Sequence, residues 1–147
     1  MQYNNFIFFD NSCYSYVGRI GGPQTVAYPQ WCINSFGSVL HELYHALGFF
    51  HEQSRPDRDK YVTINHNNIQ SGKEHNFEKY NTDFVTTFGV NYDYSSVMHY
   101  HSTAFSKNGK RTIVTKKTKK QLGTFTKTIC QSMSQRCGIG CVNGTNR

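Results

Sequence analysis

Between His41 and His51 the chain reads HELYHALGFFH, with three histidines and one glutamate in a short, otherwise apolar run. On a helix His41 and His45, one turn apart, share a face, since residues four apart differ by only about 40° in direction. Two imidazoles so placed can converge on one ion at ~2.0–2.1 Å, the zinc–nitrogen distance. Glu42 comes next around the helix, where a carboxylate can activate a zinc-bound water without binding the metal itself. A helix offers the ion one face, so a third ligand must come from elsewhere. Gly48 lets the chain turn, and His51 then arrives from the loop. Three neutral imidazoles leave a position open for water, as in catalytic rather than structural zinc sites. The competing interpretation is three histidines satisfied by core hydrogen bonds. Composition alone yields HExxH in about 1% of such chains, and adding the glycine and third histidine brings this to roughly a few in 10⁵.

These side chains require a helix with a definite start and stop. Ser35 or Ser38 can cap it, Val39, Leu40, Leu43, Ala46 and Leu47 supply its apolar periodicity, and Gly48 ends it. The apolar residues among the histidines, Leu43, Tyr44, Ala46, Leu47, Phe49 and Phe50, are expected to anchor it in the core. Upstream, Tyr3 to Phe9, Cys13 to Ile20 and Thr25 to Tyr28 read as strands. Gly21-Gly22-Pro23 forms the turn after the second. Downstream, Ser54 to Lys60 is a charged turn and Tyr61 to Ile64 an extended piece. Asn65 to Lys79 is polar, with helical character around Ile69 to Phe77. Residues 107–147 have little regular structure.

A second stretch, Ser95-Ser96-Val97-Met98-His99-Tyr100, supports the first. HExxHxxGxxH with a later methionine turn defines the metzincin class of zinc peptidases. HELYHALGFFHEQSRPDRDKYVTI followed by NYDYSSVMHY resembles the astacin family of metalloendopeptidases more closely still, as does the upstream CYSYVGRIGG. The resemblance covers roughly residues 3 to 115. It implies an α+β, zincin-like fold: a twisted sheet packed on an active-site helix above, an irregular C-terminal half below, and a cleft between. It also implies that His41, His45 and His51 bind one catalytic Zn2+, with Tyr100 as a displaceable further ligand whose hydroxyl stabilises the tetrahedral intermediate. Glu42 activates the zinc-bound water and shuttles its proton, and Met98 lies beneath the metal as an apolar base. Cys13 pairs with Cys32. The strand from Cys13 is the rim along which an extended substrate adds. Arg55, Asp57, Arg58 and Asp59 are expected to hold the loop after His51 rather than touch substrate. The resemblance further implies strands, a helix and a mature N-terminus upstream, and a closing helix downstream, which this sequence is expected to lack. Glu52 is therefore expected to be a buried acid without its ammonium partner.

The expected organisation is a partial catalytic domain over 1–123, with 1–48 the upper half and 49–123 the lower, and a divergent cysteine-containing tail over 124–147. Charge is uneven. The formal net charge is +7, yet residues 94–147 contain no acidic side chain. A solvated basic loop explains this better than nucleic-acid binding, because no stacking aromatics are interleaved with the lysines. No apolar run approaches a membrane span. The five cysteines and Asn143-Gly144-Thr145 favour disulfides, an oxidising compartment and secretion. The expected partner is a protein or peptide substrate. The alternatives are a zinc-binding but inactive fragment and a basic interaction protein.

Overall fold

The structure is a computed structural model that describes residues 6–7, 12–117 and 122–123. Cys130, Cys137, Cys141, Lys119 and Lys120 of the basic region and the glycosylation pattern lie outside the described residues. The chain divides into two compact units, Met1–His51 and Glu52–Arg147.

In the first unit, strands β1 (Phe6–Ile7), β2 (Tyr14–Ser15) and β3 (Val26–Ala27) form a sheet in the order β1-β3-β2. β1 pairs parallel to β3, and β2 pairs antiparallel with Tyr14 opposite Ala27 and Ser15 opposite Val26. The strands sit where the β-branched and aromatic runs put them, but each is only two residues long. Pro29 starts a short helix α1 (Gln30–Ile33), which the periodicity does not announce. Helix α2 (Phe36–Ala46) follows at once. Its cap is Ser35, whose Oγ accepts from the Ser38 N–H at 3.3 Å. β2, β3 and α1 all pack on α2.

Val26, Tyr28 and Cys32 are buried together, with Cys13, Val39 and Ala46 against them. The Tyr28 hydroxyl donates to the Val39 carbonyl at 3.0 Å. Cys13 and Cys32 are joined as a disulfide, a cross-link worth ~3 kcal/mol for a loop of this size in the chain-entropy model. The anchoring of α2 matches expectation at Tyr44 and Ala46 and departs from it at Leu43 and Leu47. Its buried residues are Glu42, Tyr44 and His45, whereas Leu47 is 68% exposed and Leu43 38%. Leu43 and Leu47 are one turn apart, so they share a face. They stand about 40° and 80° around the helix from Val39, so they flank the Val39–Ala46 face that packs on the buried cluster.

The second unit is mostly turns. β4 (Val62–Ile64) pairs antiparallel with β5 (Ile113–Thr115), Thr63 opposite Val114. β5 falls in the half expected to lack regular structure; its signal was the β-branched run Thr112-Ile113-Val114-Thr115. The helical character expected around Ile69 to Phe77 is instead two 3-10 turns, His66–Asn68 and Glu74–Phe77. Gly72 between them has φ +80°, which interrupts a right-handed helix. Val62, Ile69, Phe77, Tyr92, Tyr94, Ile113 and Leu122 form the core of this unit.

Candidate metal centre

The end of α2 is built by hydrogen bonds that a residue with a Cβ would oppose. The Gly48 N–H donates to the His45 carbonyl at 2.8 Å, and the Phe49 N–H to the Tyr44 carbonyl at 3.0 Å. This pair is a Schellman closure around a glycine at φ +99°. The turn brings the Phe49 carbonyl back onto α2, where it accepts from His45 Nδ1 at 2.8 Å. The proton is thereby held on Nδ1, and Nε2 presents a lone pair. Burial and the neighbouring His41 push the His45 pKa down to about 4, so the ring is neutral.

The three Nε2 atoms converge. His51 Nε2 lies 3.2 Å from His45 Nε2 and 3.2 Å from His41 Nε2. All three donor atoms lie within 4.8 Å of one another. Nitrogens at ~2.0–2.1 Å from a tetrahedral zinc would stand about 3.3–3.4 Å apart. A core-histidine arrangement does not explain this geometry. A single Nε2 proton on His51 cannot serve both neighbours, and His45 has no Nε2 proton to give. The donor set therefore fits zinc, and these three histidines are positioned to bind it.

Glu42 is buried on the same helix. Burial pushes its pKa up to about 7, with the Ser15 backbone N–H acting in the opposite direction. Its charge in turn contributes, after burial, to holding the Tyr28 hydroxyl at about 12.

Gly48→Ala is expected to cost about 1–2 kcal/mol through the left-handed backbone. By moving the Phe49 carbonyl it should also weaken zinc binding roughly 10–100-fold. Thermal melting and a competitive chelator titration check the two effects. Unchanged zinc affinity would show that the Phe49 contact does not orient His45.

The other residues named by the sequence pattern lie in the second unit. The Tyr100 ring packs edge-on to Phe77 and Phe105, with centroids 6.0 and 5.6 Å away. Met98 is buried, and its carbonyl accepts from the Glu52 N–H at 2.9 Å. Glu52 is buried, as expected, and has partners within its own unit. Its Oε1 accepts from Arg55 at 3.0 Å and from the Asp93 N–H at 2.8 Å. Arg55 also grips Asp57 through two bonds and donates to the Val90 and Asn91 carbonyls. Buried Arg58 donates to the Gln53 and Phe77 carbonyls. The charged cluster thus holds the loop after His51, as expected. Sequence reasoning passed over Gln53 and the His99 ring, whose contacts span tens of residues in the chain or depend on local turn geometry.

The family model for Astacin, a peptidase family, matches residues 2–136, reaching into the segment set apart above as a divergent tail. Zinc metalloproteinase nas-13 of Caenorhabditis elegans is 57% identical over 104 residues, which is 71% of this chain and 23% of that protein. Zinc metalloproteinase nas-15 of the same organism is 50% identical over 117 residues, 80% of this chain and 20% of that protein. The chain thus spans less than a quarter of the length of these curated relatives. Among solved structures, high choriolytic enzyme 1, a hatching enzyme zinc-protease from the medaka Oryzias latipes, aligns with TM-score 0.77 and 35% identity. That alignment covers 88% of this chain and 65% of the other.

Proposed function

The chain belongs to the astacin family of peptidases, and on that premise we propose that it is a zinc-dependent metalloendopeptidase hydrolysing peptide bonds in protein substrates. The observation that carries this reading is the convergence of the His41, His45 and His51 Nε2 atoms. Bound there, zinc supplies Lewis acidity toward a water molecule and the scissile carbonyl. We assign the remaining work to side chains. Glu42 takes a proton from the attacking water and returns it to the leaving amine, and its burial keeps the carboxyl from competing solvent. The Tyr100 hydroxyl donates to the oxyanion that develops on the carbonyl. Met98 contributes apolar bulk and no ligand atom. β2, at the edge of its sheet among the described residues, offers main-chain groups to which an extended substrate adds as a further strand.

The disulfide between Cys13 and Cys32 supports an extracellular location, where such bonds persist. Among the described residues, no helix is long and apolar enough to cross a membrane.

Purified chain loaded with zinc should cleave a denatured protein into discrete fragments, and a chelator should stop the cleavage until zinc is restored. A folded chain that holds one equivalent of zinc and leaves the substrate intact would overturn the peptidase reading in favour of a zinc-binding, inactive protein.

A further inference from the structure

Gln53 is fully buried. Its Oε1 accepts from the Tyr100 N–H at 3.0 Å, across 47 residues of chain. Its Nε2 is buried and has no hydrogen-bond partner among the described residues. An amide with its donor end unsatisfied is a costly choice for filling space, and an apolar side chain of the same length would avoid that cost. The acceptor end is what the amide contributes.

That end holds the peptide unit before Tyr100, and the unit after it is held as well. The Tyr100 carbonyl accepts from His99 Nδ1 at 2.7 Å, and His99 Nε2 takes the Tyr92 hydroxyl proton at 2.6 Å. Gly123 closes the third side. A Cβ there would stand 2.4 Å from the His99 carbonyl oxygen and 3.3 Å from the Tyr100 carbonyl carbon. Gln53 itself is fixed, because its own carbonyl accepts from Arg58 at 3.0 Å and the adjacent Glu52 N–H donates to Met98. The Tyr100 backbone is thus gripped at both its N–H and its C=O, with the ring wedged between Phe77 and Phe105.

We propose that Gln53 is a positioning residue: its side-chain carbonyl holds the Tyr100 main chain so that the phenol is aimed for its part in the reaction. This rests on the role proposed above for Tyr100. A side chain that must reach a developing charge does so reproducibly only from a main chain held in one place, since main-chain reorganisation during reaction raises the barrier.

The test combines Gln53→Met, which keeps length and removes the acceptor, with Gln53→Glu, which keeps an acceptor oxygen, in the full chain. In Gln53→Met the Tyr100 amide should lose at least tenfold of its hydrogen-exchange protection, while the Thr112 and Gly123 amides keep theirs. The kcat should fall roughly tenfold with KM within about twofold, and Gln53→Glu should recover most of it. In a Tyr100→Phe background Gln53→Met should cost less than about twofold, because the two changes remove the same contribution. Equal losses in both backgrounds would overturn the proposal, as would full protection of the Tyr100 amide in Gln53→Met. Should Gln53→Met not fold, Gln53→Leu read by the same exchange experiment replaces it. A zinc-loaded wild type without activity would sink the peptidase reading, and hydrogen exchange would still decide the Gln53 tether on its own.

Discussion

Glu42→Gln is expected to lower kcat by roughly 10²–10⁴-fold, the usual worth of a positioned general acid–base group. KM should change little, and the chain should still hold one equivalent of zinc. The amide has the size of the carboxyl and the same place on α2 (Phe36–Ala46). It leaves the three imidazoles and the His45–Phe49 contact untouched. What it loses is the ability to take a proton and hand it on. Stability should stay level or rise, because a carboxyl buried to 7% exposure pays a desolvation cost that a neutral amide reduces. Kinetics, metal analysis and thermal melting on the same preparation separate these effects. If the variant were as active as wild type, Glu42 would be a buried structural acid and the base would have to be sought elsewhere.

His51→Ala should abolish activity by a different route, through loss of the metal. His51 Nε2 is within 3.2 Å of both other donors, so its removal leaves two imidazoles on one helix face and no donor from the loop. Zinc affinity should fall by more than about 100-fold, beyond the loss typical when a residue behind a ligand is removed. Wild-type melting temperature should drop on chelation, since a ligand at 100 times its Kd contributes about 2.7 kcal/mol. The variant's melting temperature should not respond to chelator. Competitive titration with a chromogenic chelator and melts with and without added zinc read both effects. Retention of one equivalent at wild-type affinity would return His51 to the role of a hydrogen-bonded core residue.

The metal site was legible because its geometry is local. The ligands span eleven residues, and helical period plus one glycine suffice to bring their nitrogens together. A serine cap at 35 or 38, Gly48 as stop and His51 as the loop ligand follow from backbone rules that act over a single turn, and the structure takes Ser35. The family resemblance rested on the same stretch and its methionine turn. The strands were legible in place but not in extent, because residues flanking a short β-branched run carry no signal of where pairing stops.

Only the tertiary structure could decide matters that depend on which side of an element meets a neighbour. Periodicity marked Leu43 and Leu47 as core along with Tyr44; packing buried Tyr44 but took Glu42 and His45 in place of the two leucines. An acid expected to be buried without its ammonium partner, Glu52, is held by Arg55 and the Asp93 amide. The tether from Gln53 to Tyr100 joins atoms 47 residues apart, and no local propensity encodes such a contact. Spacing over one turn determines which donors can share an ion. Which long-range amide supports a reactive group is set by how the chain closes on itself, a property of the packed whole rather than of any window of residues.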